Sequence, residues 1–147
     1  MCLDASRCPR RQGAQQQTDR FFGLMNRRLA EEGGLIAEEA LRERWRQQGR
    51  EPRELAELLD GNRLCSLTRG AQRWVPAFLL HADGLTPRAD VATIADELAG
   101  GMDTAEILAW FACRNASLGG ETPIARLRTG LPGVLDAARL DRFIGSA

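Results

Sequence analysis

The chain of 147 residues has no lysine, no tyrosine, one histidine and no long apolar run. Each absence removes a class of chemistry. Without lysine there is no phosphate loop of the Gly-x-x-x-x-Gly-Lys type, and neither Gly100-Gly101 nor Gly119-Gly120 carries that pattern. A single His81, with Asp83 two positions on, provides neither a catalytic triad nor a histidine metal set. Cys2, Cys8, Cys65 and Cys113 show no Cys-x-x-Cys spacing, so neither a zinc site nor a disulfide framework is expected, and reduced thiols are the default. No apolar stretch approaches 18 residues and no hydrophobic signal region opens the chain, so a cytoplasmic protein without membrane contact is expected. Aromatics are 5% of the sequence. The expected core is therefore mostly aliphatic.

What is present is balanced. Twenty arginines meet twenty carboxylates, giving a formal net charge of zero. All the basic residues are arginine, and abundant alanine and glycine accompany them, as a GC-rich coding bias would produce. The distribution is uneven. Residues 1–75 hold fourteen arginines against eleven acids, and residues 76–147 hold six against nine. A basic front half suits a DNA-facing end and an acidic back half a partner-facing end.

Residues 1–17 are polar, with Pro9, Gly13 and a glutamine run, and read as a disordered tail. A first helix is expected from an N-cap at Thr18 to Glu32, with Phe21, Phe22, Met25 and Leu29 on one face. A second is expected over Ile36–Gln48 around Leu41 and Trp45. A third runs from Pro52 to Asp60 with Leu55, Leu58 and Leu59 inward. Arg63–Leu67 and Gln72–Pro76 then flank a Thr68–Ala71 turn and read as a hairpin. Thr86-Pro87 opens a fourth helix carrying Val91, Ile94, Ala95 and Leu98. Asp103 and Glu106 form a capping-box pattern for a fifth, in which Ile107, Leu108, Trp110 and Phe111 crowd together. Leu118-Gly119-Gly120 breaks that helix, and Thr122-Pro123 restarts it until Thr129-Gly130. A last helix follows from Pro132. The fold class is mainly α, a helical bundle with one small β-hairpin. The expected division is a tail (1–17), a helix-turn-helix-like unit with a hairpin wing (18–76) and a helical unit (77–147).

The stretch from Asp103 to Gly130 resembles the toxin-binding domain of Xre/MbcA/ParS-type antitoxins, in a match that covers roughly residues 76–143, about half the chain. That family carries an Ala-x-x-Trp helix, an Asn-x-x-Leu-Gly-Gly-x-(Thr/Arg)-Pro turn and a short helix ending in Thr-Gly. The residues placed on this pattern are Ala105, Ala109, Trp110 and Phe111, with Ile107 standing where the spacing calls for alanine, then Asn115, Leu118, Gly119, Gly120, Thr122 and Pro123, and finally Leu127, Thr129 and Gly130. Helix, helix and Arg-decorated hairpin likewise look like the winged helix-turn-helix of excisionase and MerR-type DNA readers. Gly61-Asn62-Arg63-Leu64 stands at the hairpin entry with one extra residue. Trp74-Val75-Pro76-Ala77-Phe78 resembles the segment joining wing to toxin-binding domain, with Leu79 replacing the usual Gln.

The resemblance implies a type II antitoxin that neutralises an NAD-consuming RES-domain toxin by direct binding and regulates its own operon. It also implies a homodimer, or a hetero-oligomer with the toxin. It places toxin contacts at Trp110, Phe111, Asn115, Leu118, Gly119, Gly120, Thr122 and Pro123, and at Arg139, Arg142 and Phe143 near the C-terminus. At helical spacing, Trp110 is more readily core than contact. Leu118, in the glycine turn, has the best claim to exposure. Operator contacts fall on Arg50, Arg53, Arg63, Arg69 and Arg73, although Glu51, Glu54, Glu57 and Asp60 on the third helix repel phosphates. No enzyme, cofactor or metal is expected. A stand-alone DNA-binding regulator or excisionase-like factor without a toxin remains the alternative, as does an adaptor whose wing no longer binds DNA.

Overall fold

A computed structural model describes residues 9–61 and 63–145, with side chains placed for 19–61 and 63–142. Residues 1–8 of the expected tail lie outside it. Among the described residues the protein is mainly helical, with seven α-helices and a small antiparallel sheet.

The first helix, α1, spans Pro9–Arg28. It begins nine residues before Thr18, which is therefore not its cap, and it takes in residues 9–17 of the stretch expected to be unordered. Proline suits a first helical position, and the Gln, Arg and Ala that follow are good helix formers. Extending a helix already anchored by Phe22 and Met25 needs no new nucleus. The anchored end closes through a 3₁₀ turn at Ala30–Glu32 and Gly33, whose φ of 95° only glycine adopts easily. A Cβ on Gly33 would lie 2.8 Å from that of Ala77, so the end of α1 and the exit of the sheet nearly touch.

Leu35–Ala37 is a strand, β1, where the sequence suggested the start of a helix. Its Ile36 pairs with Val75, and a β-branched residue fits a ladder better than a first helical turn. Helix α2 (Glu38–Gln47) buries Leu41 and Trp45, and α3 (Pro52–Asp60) buries Leu55 and Leu59. Residues 63–66 stay irregular. Strands β2 (Leu67–Arg69) and β3 (Gln72–Pro76) then form a hairpin around Gly70, tighter than the expected four-residue turn. The sheet order is β1-β3-β2, so the expected lone hairpin is three-stranded.

Helix α4 starts at Ala89, not at Thr86. Thr86 is taken by the preceding loop: its N–H, its hydroxyl and the Leu85 N–H all donate to Asp83. Helix α5 (Thr104–Ala112) is capped as expected, with Asp103 accepting from the Glu106 N–H at 2.8 Å. It stops at Ala112, six residues before Leu118, where Cys113 turns extended. A 3₁₀ turn at Ala116–Leu118 leads to α6 (Pro123–Arg126), and α7 (Leu131–Gly145) packs back on α4.

Both halves share one apolar cluster. Met25, Leu29, Trp45 and Val75 belong to it together with Ile94, Phe111, Ile124 and Val134. Arg28 adds a polar tie, donating to the Ala112 carbonyl at 3.2 Å and so partnering one of the open carbonyls at the end of α5.

Candidate functional site

The segment between α5 and α6 is built around Asn115. Its side-chain oxygen accepts from the Ser117 N–H at 2.9 Å. Its carbonyl takes the N–H groups of Leu118 and Gly120, and its own N–H donates to Glu121. The Asn115 amide also donates to Asp141 of α7 at 2.9 Å, on the oxygen that receives the Trp110 indole N–H at 2.6 Å. One carboxylate thus fixes α5, the turn and α7 together. Asp141 carries no motif that would single it out. The available signal was indirect: a partly covered indole N–H and a helix-linking asparagine both require acceptors.

Leu118 is 4% exposed, which corrects the expectation that it faces solvent. It plugs the turn from inside, and Phe111, Pro123 and Ile124 are buried beside the same elements. What the turn exposes is Gly119 and Gly120, at φ 68° and 83°, with open space where either Cβ would stand. Thr122 caps α6 by accepting from the Ala125 N–H at 3.2 Å. Of the nominated contact residues, then, Phe111, Leu118 and Pro123 are core, and Trp110, Asn115 and Thr122 hold the turn's shape. The two glycines are surface.

Arg139 and Arg142 point to Glu97 of α4, Arg142 at 3.1 Å and Arg139 at 4.0 Å. The guanidinium of Arg142 covers Gly100, where a Cβ would fall 2.6 Å from its Nε. They brace α7 while staying about half exposed. The side chain of Phe143 lies outside the described residues.

The arginines nominated for DNA are dispersed and mostly paired. Arg73 donates to Glu38 through two nitrogens, at 2.7 and 2.9 Å, and to Asp60 at 2.7 Å. The Arg73 hydrogen bond holds the Glu38 carboxyl below its ordinary range, against the opposing push of burial. Those same bonds raise the Arg73 pKa further. Arg50 lies over the Trp45 ring at 4.1 Å and reaches Glu54 at 4.0 Å. Arg53 pairs with Glu57, and Arg69 pairs with Asp19 while lying over Phe22. Arg63 is exposed and forms no ion pair with any described residue. The acids of α3 that repel phosphate also hold Arg50, Arg53 and Arg73.

A groove of about 310 Å³ runs between the 63–65 segment, α4 and the start of α5, lined by Cys65, Asp96, Met102 and Ile107 among others. Burial, and then the charge of Asp96, push the Cys65 thiol up, making it a poor nucleophile. Among the described residues no group of His, Cys, Asp and Glu is arranged to hold a metal ion, and no helix is long and apolar enough to cross a membrane.

No family profile, curated protein or solved structure matches the chain.

Proposed function

We propose that this chain is the antitoxin of a type II toxin–antitoxin pair, acting in the cytoplasm on an NAD-consuming RES-domain toxin by direct binding. The observation that carries the reading is the α5–α6 turn. Two left-handed glycines stand in open space on a loop fixed from inside by Leu118, Asn115 and the Asp141 carboxylate. A rigid, outward turn lets a partner dock without ordering a mobile loop first. The sequence resemblance lies on this same segment, and Arg139 and Arg142 stand on the adjoining helix. Oligomeric partners are then the toxin, a second copy, or both. Autoregulation at operator DNA belongs to the same reading.

A second reading, a stand-alone DNA-binding regulator without a toxin, is favoured by the element order. Helix, strand, two helices and hairpin, with the first strand pairing on the last, is the layout of a winged helix-turn-helix.

The test is co-expression of the full chain with a RES-domain toxin from a neighbouring gene, read by growth rescue and co-purification. Rescue is expected from the intact chain and lost in Ser117→Arg and Glu121→Arg, both exposed on the turn, with thermal unfolding unchanged. Absence of both rescue and co-purification would transfer the assignment to the regulator.

A further inference from the structure

Helix α1 is the most basic element of the described chain. It holds Arg10, Arg11, Arg20, Arg27 and Arg28 against a single carboxylate, Asp19. That carboxylate is already matched by Arg69 across to the hairpin. Arg20 and Arg27 are exposed and form no ion pair with any described residue. Arg27 also folds back over Gly23, with Nη1 3.8 Å from where a Cβ would be, so it lies toward the turn that carries Arg20. Arg20 and Arg27 are seven positions apart, two turns along one face of α1, with no acid between them. Elsewhere in the front half Arg42, Arg46, Arg50, Arg53 and Arg73 are answered by glutamates and Arg69 by Asp19, while Arg44 and Arg63 stand singly, exposed and without an ion pair to any described residue.

We infer that the exposed Arg20–Arg27 face of α1, and not α3 with the hairpin, is a docking surface for a nucleic-acid backbone. The two residues stand about 10 Å apart along the helix axis, and phosphates on one strand recur every ~3.4 Å of duplex axis. Two phosphates of one backbone are therefore within reach of the pair. Helix α3 presents Glu54, Glu57 and Asp60 against one arginine, so placing it on phosphate would set like charges together. An anionic membrane is the competing polyanion, since Leu24 is exposed between the two arginines. Membrane-surface helices need a broad apolar face, however, and the apolar residues Phe22 and Met25 of α1 are buried in the core.

This inference does not depend on the toxin reading, because its test contains no toxin. Binding of the full chain to a mixed-sequence DNA duplex is measured across a salt series for the intact protein, for Arg20→Gln/Arg27→Gln and for Arg53→Gln/Arg63→Gln. The expected result is salt-dependent binding by the intact chain. The slope of log K against log salt should become shallower by roughly 1.8 in the α1 variant, about 0.9 for each lost phosphate contact, and stay unchanged in the other. All four side chains are exposed, and circular dichroism verifies the fold of both variants. Three results would overturn the assignment: no salt-dependent duplex binding by the intact chain, loss in the Arg53/Arg63 variant equal to or above that in the α1 variant, or capture by phosphatidylcholine–phosphatidylserine vesicles without duplex binding.

Discussion

The Trp110 indole donates to Asp141 at 2.6 Å across 31 positions of sequence, and the Asn115 amide meets the same oxygen at 2.9 Å. Replacing Asp141 with alanine strands two donors at once. Asp141→Ala should cost about 1–3 kcal/mol and lower the melting temperature by roughly 3–10 °C. Urea unfolding with an unchanged slope would locate the loss in the folded state. A midpoint equal to that of the intact chain would show that the carboxylate holds nothing.

Gly119 and Gly120 have open space around them, so alanine meets no obstacle there except the backbone angle itself. Each Gly→Ala change should therefore cost about 1–2 kcal/mol through left-handed strain alone. Gly33→Ala combines a φ of 95° with a 2.8 Å approach to Ala77, and should cost more than either. Equal melting temperatures for the three variants would contradict this ordering.

How much of this could be read beforehand depended on whether the cause was local. The caps at Asp103 and Thr122, and the proline start of α3, are decided within four residues, and all stand where expected. Ile36, an apolar residue before a helix, looks like its first turn until Val75, 39 positions away, supplies a strand to pair with. A glycine turn suggests that Leu118 is exposed, whereas the side chain folds under the turn and is buried. Pairing of Arg73 with Glu38 spans 35 positions and leaves no periodicity to detect. The shape of the candidate turn was legible, but not the carboxylate that fixes it.

Two carboxylates give the acid behaviour a sign. Glu38 is depressed in the folded state, chiefly by Arg73, from an ordinary value of 4.5. Its stabilisation is complete above that value and disappears as pH falls through the folded one. Glu38→Gln should therefore be less stable than the intact chain at neutral pH, with the gap narrowing under acid. Asp83 is drawn down to about 2 by the backbone N–H groups of Thr86 and Leu85 and by the Thr86 hydroxyl. A carboxyl titration followed by NMR should give that value, and Thr86→Val should raise it. A midpoint for Asp83 near its ordinary 3.8 would show that the loop is open in solution.

Trp45 is fully buried, and its Nε1 has no partner among the described residues. Trp45→Phe removes that unpaired N–H but leaves a small void, and the two effects oppose each other. The net change should stay within about 1 kcal/mol, against about 3–5 kcal/mol for Trp45→Ala. Denaturant midpoints would decide it: a loss in Trp45→Phe approaching that of alanine would mean that the N–H has found a partner.

The shared apolar cluster has a consequence for how this protein can be dissected or exchanged. Leu29 and Phe111, or Val75 and Val134, belong to one interior, so neither half closes over its own apolar residues. A cut near residue 76 would leave two sticky fragments in place of two working parts. Heat should melt the chain in a single transition sensed alike by Trp45 and Trp110. Whatever each half does, neither can be grafted onto a foreign chain as a cassette, and any exchange of the front half would have to recast the interior along with it.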